Sequence, residues 1–178
     1  MPSAPSTAPP PYQIPRPTPK WSRLALASVG FLGLSPILPG SCATLTGVIW
    51  HALLWIYTAP TGRWIVMAAS MVALAWLNHR LTPWASAHFK CKDPKEFVLD
   101  EVIGYLMVPL CFPHLPFWPV AGWGFFLFRA LDMIKLPGAR WIDRRLDGAW
   151  GILLDDLVSG LYTAAAIQLL LFAKVISV

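Results

Sequence analysis

Six apolar segments run through this 178-residue chain, separated by short polar or proline-containing stretches. They cover residues 24–38, 43–59, 64–78, 102–118, 119–134 and 151–173. A transmembrane helix needs about 20 predominantly apolar residues, with about 17 as the lower limit. Moreover, only 13% of the residues are charged, whereas soluble domains carry about 25%. The sequence therefore predicts an all-α, polytopic helical membrane protein and excludes a soluble globular domain.

The first apolar segment differs from the others, because glycine, serine and proline interrupt its second half, residues 33–40. Proline removes a backbone hydrogen-bond donor and clashes inside a helix, and non-helical backbone at membrane depth occurs in re-entrant elements. We therefore expect segment 24–38 to be re-entrant or interfacial, and the other five segments to form about five transmembrane helices.

The positive-inside rule predicts the orientation of these helices. It places the N-terminal tail, the connection at residues 80–95 and the basic stretch at residues 135–145 in the cytoplasm, and the loop at Arg63 on the outer side. Residues 1–20 contain eight prolines and no apolar run, which is typical of disorder. We expect a disordered, proline-rich cytoplasmic tail at 1–20 and a single helical membrane domain at 21–178.

All nine acidic residues lie between residues 93 and 156, although the chain as a whole has a net charge of +5. The basic residues form no basic face, so we expect no nucleic-acid binding. Acidic residues within or beside membrane segments are energetically costly and are usually functional. The acidic stretch is therefore the candidate site.

Two of the acidic clusters have a spacing that suits phosphate chemistry. Asp100 and Glu101 begin an apolar helix, where the helix dipole favours negative charge. Arg129, Asp132 and Lys135 follow one another at intervals of three residues, so Asp132 lies between two cations that could bind a phosphate. The alternatives are acids that mark the membrane boundary and a salt-bridge ladder on an exposed helix face.

A third cluster lies further along the chain. Asp143 and Asp147 are four residues apart, and Asp155 and Asp156 enter the last apolar segment as a pair. Mg²⁺ prefers oxygen ligands and typically takes one or two carboxylates together with water and substrate phosphate. The aspartates therefore suggest a magnesium site beside a phosphate.

With these clusters the sequence resembles the phosphatidylglycerophosphatase A family of bacterial membrane enzymes. The stretches that carry the resemblance are GLSPILPGS at 33–41, VLDEVIG at 98–104, and GFFLFRALDMIK through RWIDR to GILLDDLVSG within 124–160. The resemblance implies Mg²⁺-dependent removal of the terminal phosphate from phosphatidylglycerophosphate, giving phosphatidylglycerol. It also implies a multi-pass protein of the bacterial inner membrane, and the orientation given by the positive-inside rule puts the acidic residues at or near the cytoplasmic face.

The resemblance also implies roles for individual residues. The expected catalytic residues are Asp100, Asp132, Asp143 and Asp156. The expected metal ligands are Asp100, Glu101, Asp132, Asp155 and Asp156. The expected substrate-binding residues are Arg129, Lys135, Arg140, Pro39, Gly40 and Ser41, and Asp93 matches a further family position. Direct attack by water and a phospho-aspartate intermediate both stay open, as do the number of metal ions and the oligomeric state.

Two other functions are considered. A CDP-alcohol phosphatidyltransferase also uses membrane aspartates and a divalent metal, but its Asp-x2-Asp-Gly-x2-Ala-Arg pattern is not met, because Asp143 and Asp147 are four residues apart and no Ala-Arg follows Gly148. The non-enzymatic alternative is a small membrane protein with a buried acidic cluster.

Overall fold

A computed structural model of the chain describes residues 21–176, so the predicted disordered tail at 1–20 lies outside the described residues. The described part contains seven α-helices and no β-strand, which confirms the all-α prediction. The helices are α1 Trp21–Ala27, α2 Pro39–Tyr57, α3 Pro60–Phe89, α4 Leu99–Cys111, α5 Phe117–Ile134, α6 Pro137–Arg145 and α7 Ala149–Phe172.

The segment between α1 and α2 does not form a continuous helix. A short 3-10 turn, Leu32–Leu34, is flanked by residues with left-handed backbone, with φ of 72° at Phe31 and 50° at Leu38. α2 then begins with Pro39, whose fixed φ and missing N–H suit the first position of a helix. The interruption predicted for residues 33–40 is therefore present, and α2 begins at its end.

Two helices, α3 and α7, are long and apolar enough to cross a membrane. α4 has only 13 residues, which at about 1.5 Å per residue is shorter than a hydrocarbon core of about 30 Å. α2 and α5 are longer, with 19 and 18 residues, but they are not among the helices that are apolar enough to cross. The five-span prediction is therefore not confirmed beyond these two helices.

The outward faces of the long helices carry large apolar side chains. The exposed fraction is 71% for Val72 on α3, 70% for Phe126 on α5 and 85% for Phe172 on α7. Contiguous apolar surface of this kind marks a membrane or protein contact. Together with the two candidate spans it indicates association with a membrane.

α4 is the central helix of the bundle and packs against α2, α3, α5 and α7. Glycines allow its closest contact. A Cβ atom on Gly160 of α7 would collide with the carbonyl oxygen of Gly104 on α4, and a Cβ on Gly104 would lie 2.7 Å from the Phe128 ring. The two backbones therefore approach closely, and this places the acidic residues of α7 beside those of α4.

Candidate functional site

The acidic clusters meet in one cavity of about 340 Å³. It lies where the first turns of α2 and α4, the end of α5, the first half of α7 and the segment 93–97 come together. Its charged lining consists of six carboxylates and three cations, namely Asp93, Asp100, Glu101, Asp132, Asp155 and Asp156 with Lys95, Arg129 and Lys135. The structure thus brings together side chains that are up to 63 positions apart in the sequence, from Asp93 to Asp156.

Arg129 connects the acids of α4 to the acid of α5. Its Nη1 lies 2.9 Å from Asp132 Oδ2 and 3.3 Å from Glu101 Oε1. The contact with Asp132 spans one turn of the same helix, whereas the contact with Glu101 crosses between helices. The side chain of Arg129 is only 14% exposed, so this is a partly buried network and not the exposed salt-bridge ladder considered from the sequence.

Lys135 follows α5 in a left-handed conformation, with φ of 49°. This turn directs its ammonium group towards α7, where Nζ donates to Asp155 Oδ2 at 2.7 Å and lies 3.1 Å from Asp143 Oδ1. Burial by itself would lower the pKa of Lys135, but the hydrogen bonds and charges of Asp155 and Asp143 outweigh it and raise the pKa. Lys135 is therefore a fixed positive charge at the edge of the cavity.

Three carboxylate oxygens in this cavity have no hydrogen-bond partner within the described residues. They belong to Asp100 (Oδ1), Glu101 (Oε2) and Asp156 (Oδ2). Asp100 and Asp156 are 6% and 4% exposed. Because a buried polar group without a partner costs free energy, these oxygens indicate that something outside the chain satisfies them.

The first turn of α2 closes one side of the cavity. Pro39 and Gly40 line it, and a Cβ on Gly40 would collide with the carboxylate of Glu101. Glycine at this position therefore allows the helix end to lie directly against an acidic side chain. This gives a steric reason for the glycine of the Pro39–Gly40 pair.

The donor set of the cavity suits a hard divalent cation. Among residues 21–176 no three acidic, histidine or cysteine side chains form a ready-made ligand cluster. Mg²⁺, however, usually takes one or two protein carboxylates and completes its coordination with water and phosphate oxygens. Unpartnered oxygens on Asp100, Glu101 and Asp156 match that need.

Three residues expected at the site lie away from the cavity lining. Ser41 follows the lining residues Pro39 and Gly40 but is not part of the lining. Arg140 is exposed and donates to the carbonyl oxygen of Ile134 at 3.1 Å. Asp143 does not line the cavity either and reaches it only through its ion pair with Lys135.

Sequence reasoning missed two basic residues of the segment 90–98. Lys95 lines the cavity, and Lys92 ties this segment to the connection after α6. Nζ of Lys92 lies 2.8 Å from Asp147 Oδ1 and donates to the carbonyl oxygen of Asp143 at 3.1 Å. The hydrogen bond to Asp147 raises the pKa of Lys92. Only the acids of segment 93–156 indicated a site in this stretch, and the spacing of the lysines did not predict a role for them.

The sequence of the chain matches known proteins over most of its length. The model of the family described as Phosphatidylglycerophosphatase A matches residues 25–171. Phosphatidylglycerophosphatase A of Escherichia coli strain K12 is 33% identical over 140 residues, which cover 78% of this chain and 78% of that protein. Phosphatidylglycerophosphatase A of Haemophilus influenzae is 28% identical over 144 residues, 80% of this chain and 85% of that protein.

A further relative carries a different name. A Bacteroides thetaiotaomicron protein, provisionally named a phosphatidylinositol-3-phosphatase, is 30% identical over 146 residues, 78% of this chain and 87% of that protein. No solved structure gives a significant match. The named relatives are thus lipid phosphatases by name, and the matched residues 25–171 include every residue that lines the cavity. The chain belongs to the phosphatidylglycerophosphatase A family of phosphatase enzymes.

Proposed function

We propose that this protein hydrolyses the phosphate monoester of phosphatidylglycerophosphate to phosphatidylglycerol and phosphate, with Mg²⁺, at the cytoplasmic face of the bacterial inner membrane. Two of its relatives are named for this activity. The observation that carries the proposal is the cavity in which unpartnered oxygens of Asp100, Glu101 and Asp156 lie beside Arg129 and Lys135.

The charge of the cavity favours a divalent cation in this reaction. Binding of a phosphate monoester brings about −1.5 to −2 further charges at neutral pH to a cavity whose lining holds six carboxyl groups and three cations. Additional positive charge must therefore accompany the substrate. Asp100, Glu101 and Asp156 would hold Mg²⁺ through their unpartnered oxygens, and the ion would supply Lewis-acid stabilisation of charge on the phosphoryl oxygens.

The residues of the chain itself have separate tasks in this proposal. Arg129 and Lys135 bind phosphate oxygens, because they are the cations held closest to the carboxylates. Asp132 and Asp155 orient those two cations through contacts of 2.9 and 2.7 Å. Phosphoryl transfer depends mostly on such positioning and on neutralisation of charge. Direct attack by water and a phospho-aspartate intermediate are both compatible with this arrangement.

The direct test is the release of phosphate from phosphatidylglycerophosphate by the purified protein in detergent micelles. We expect activity with Mg²⁺, loss of activity with EDTA and recovery when Mg²⁺ is restored. Phosphatidylinositol 3-phosphate serves as the comparison lipid, because one relative is named for it. Full activity in metal-free buffer would overturn the magnesium proposal, and preference for the phosphoinositide would overturn the proposed substrate.

The proposed sidedness has its own test. Single cysteines at residues 90 and 145 should react with an impermeant thiol reagent only from the cytoplasmic side, and a cysteine at residue 116 only from the outer side. The native cysteines at positions 42, 91 and 111 must first be replaced, since two of them are exposed. Labelling of residues 90 and 145 from opposite sides would contradict a shared cytoplasmic site.

A further inference from the structure

A second cavity, of about 350 Å³, lies between α2, α3 and α4. Its floor is formed by Leu99, Val102 and Leu106 of α4, which are at most 5% exposed. Trp50 of α2 and Ala73 of α3 line its walls. We call this cavity the apolar groove, because no charged residue lines it.

The few polar side chains in the apolar groove are already hydrogen-bonded within the protein. The indole N–H of Trp50 donates to Ser70 Oγ at 3.2 Å, and the Ser70 hydroxyl donates to the carbonyl oxygen of Val66 at 2.7 Å. The Thr46 hydroxyl donates to the carbonyl oxygen of Cys42 at 3.4 Å. None of these groups needs a polar ligand, so the groove favours hydrocarbon. The acidic cavity, by contrast, has unpartnered oxygens and favours a polar ligand.

The apolar groove and the acidic cavity lie next to each other on the same two helices. On α4, Leu99 lines the groove and Asp100 and Glu101 line the cavity, so the two sites begin side by side, and the groove extends on to Leu106, about 9 Å beyond Asp100 at 1.5 Å per residue. On α2, Pro39 lines the cavity, and Thr46, two turns later on the same side of the helix, lines the groove. The groove thus begins beside the polar site and continues past it into the bundle, as an acyl chain continues from a headgroup in a phospholipid.

We propose that the apolar groove binds an acyl chain of the same phospholipid whose phosphate lies in the acidic cavity. The inference rests on the proposed function, and it adds a site that selects for a long hydrocarbon chain. The occupant is the substrate's own acyl chain and not that of a bystander lipid, because the groove and the cavity share α2 and α4. Binding of the chain would hold the phosphate at a fixed depth beside Arg129 and Lys135.

The test fills the apolar groove without touching the acidic cavity. Ala73→Trp places an indole in the groove, whereas Val72→Trp, on the next residue of α3, adds the same group to a side chain that is 71% exposed and does not line the groove. Both variants are assayed with long-chain and with water-soluble, short-chain phosphatidylglycerophosphate. We expect Ala73→Trp to lower kcat/KM for the long-chain substrate by about tenfold or more relative to the short-chain one, and Val72→Trp to leave that ratio unchanged.

A binding measurement accompanies the kinetics. A phosphatidylglycerophosphate analogue with a photoreactive group in the middle of one acyl chain should crosslink to residues 46–50 or 70–74 of the wild type, and Ala73→Trp should abolish this crosslink. An unchanged chain-length ratio, or crosslinks elsewhere, would overturn the inference while leaving the phosphatase proposal in place. Equal crosslinking by a phosphatidylcholine analogue would assign the groove to a bystander lipid. Absence of hydrolysis of both substrates by the wild type would overturn the proposed function and the inference together.

Discussion

Arg63 at the start of α3 and the carboxylates at the start of α4 are both buried, but different groups surround their polar atoms. Arg63 is 6% exposed. Its Nη2 donates to the carbonyl oxygens of Trp55 and Thr58 at 3.3 Å each, and its guanidinium carbon lies 3.8 Å from the centre of the Trp55 ring. The carbonyls are those at the end of α2, where a cation is favoured by the helix dipole.

The carboxylates lie at the other end of α2, beside Gly40. Asp100 and Asp156 are as deeply buried as Arg63, and each keeps an oxygen without a partner within the described residues, as Arg63 does at Nε. The carbonyls and the aromatic ring around the Arg63 guanidinium satisfy its Nη2 and stabilise the turn between α2 and α3. Three unpartnered carboxylate oxygens in one cavity instead indicate a ligand, because their cost must be offset when the ligand binds. A single buried atom without a partner therefore does not identify the site, whereas the convergence of three such carboxylates in one cavity does.

The largest expected effect is on turnover by Asp156→Asn. The amide preserves the shape but removes a charge that would hold the metal, so kcat should fall by about 10²–10³. The free energy of unfolding should stay equal or rise, because a buried charge without a partner is removed. Phosphate release and thermal unfolding of the same preparation check both parts. A variant with near wild-type kcat would place the site elsewhere.

The second effect concerns the close approach of α4 and α7. Gly160→Ala places a methyl group against the carbonyl oxygen of Gly104, which is backbone and cannot move away alone. We expect a loss of about 1–3 kcal/mol in the free energy of unfolding, and lower kcat in the folded fraction, because the acids of the two helices are pushed apart. Gly122→Ala is the matched control, since a Cβ there would contact nothing within 4 Å. Equal stability of both variants would contradict the packing described.

The third effect separates the two regions directly. Arg63→Ala leaves the carbonyls of Trp55 and Thr58 without their donor, so the free energy of unfolding should fall by about 1–3 kcal/mol. Turnover per folded molecule should stay at the wild-type value, because Arg63 does not line the acidic cavity. Denaturant unfolding and a kinetic assay at low temperature measure the two quantities. Loss of kcat without loss of stability would mean that Arg63 belongs to the catalytic machinery.

The smallest effects are expected in the connection around α6. Asp143→Asn removes one of the two carboxylates that pair with Lys135. Because the ion pair between Asp143 and Lys135 is partly exposed, kcat/KM should fall by only about two- to fivefold. Asp147→Asn, four residues later and 89% exposed, should change it by no more than about twofold. Steady-state kinetics under identical conditions compare the two variants. A larger loss of kcat/KM for Asp147→Asn than for Asp143→Asn would contradict the expected order of the two effects.

Much of the fold and site follows from local sequence signals. The apolar segments predicted α2, α5 and α7 within four residues at each end, whereas α3 continues 11 residues beyond its predicted segment 64–78 to Phe89. The break at residues 33–40 is present. Because acids are costly in an apolar chain, the sequence predicted a site at Asp100, Glu101, Asp132, Asp155 and Asp156. All five line one cavity. These predictions succeed because each acid lies on a helix whose apolar side must be buried.

The parts that the sequence did not predict depend on contacts between distant residues. α4 ends at Cys111, near Pro109 and Pro113, and is too short for the span expected at 102–118. The positive φ of Lys135 directs its side chain to Asp155, 20 residues later. No local pattern predicts such a turn or the tertiary partner that it reaches. Arg140, expected at the site from the family resemblance, is exposed and does not line the cavity.

The proposed phosphatase site depends on metal binding by the unpartnered carboxylates. The most direct measurement is the melting temperature of the wild type and of Asp156→Asn as a function of Mg²⁺ concentration, without substrate. A ligand that binds the folded state stabilises it by about 2.7 kcal/mol when its concentration is 100 times its Kd. We expect Mg²⁺ to raise the melting temperature of the wild type in a saturable manner and to raise that of Asp156→Asn much less. An identical rise in both proteins, or none in the wild type, would contradict it.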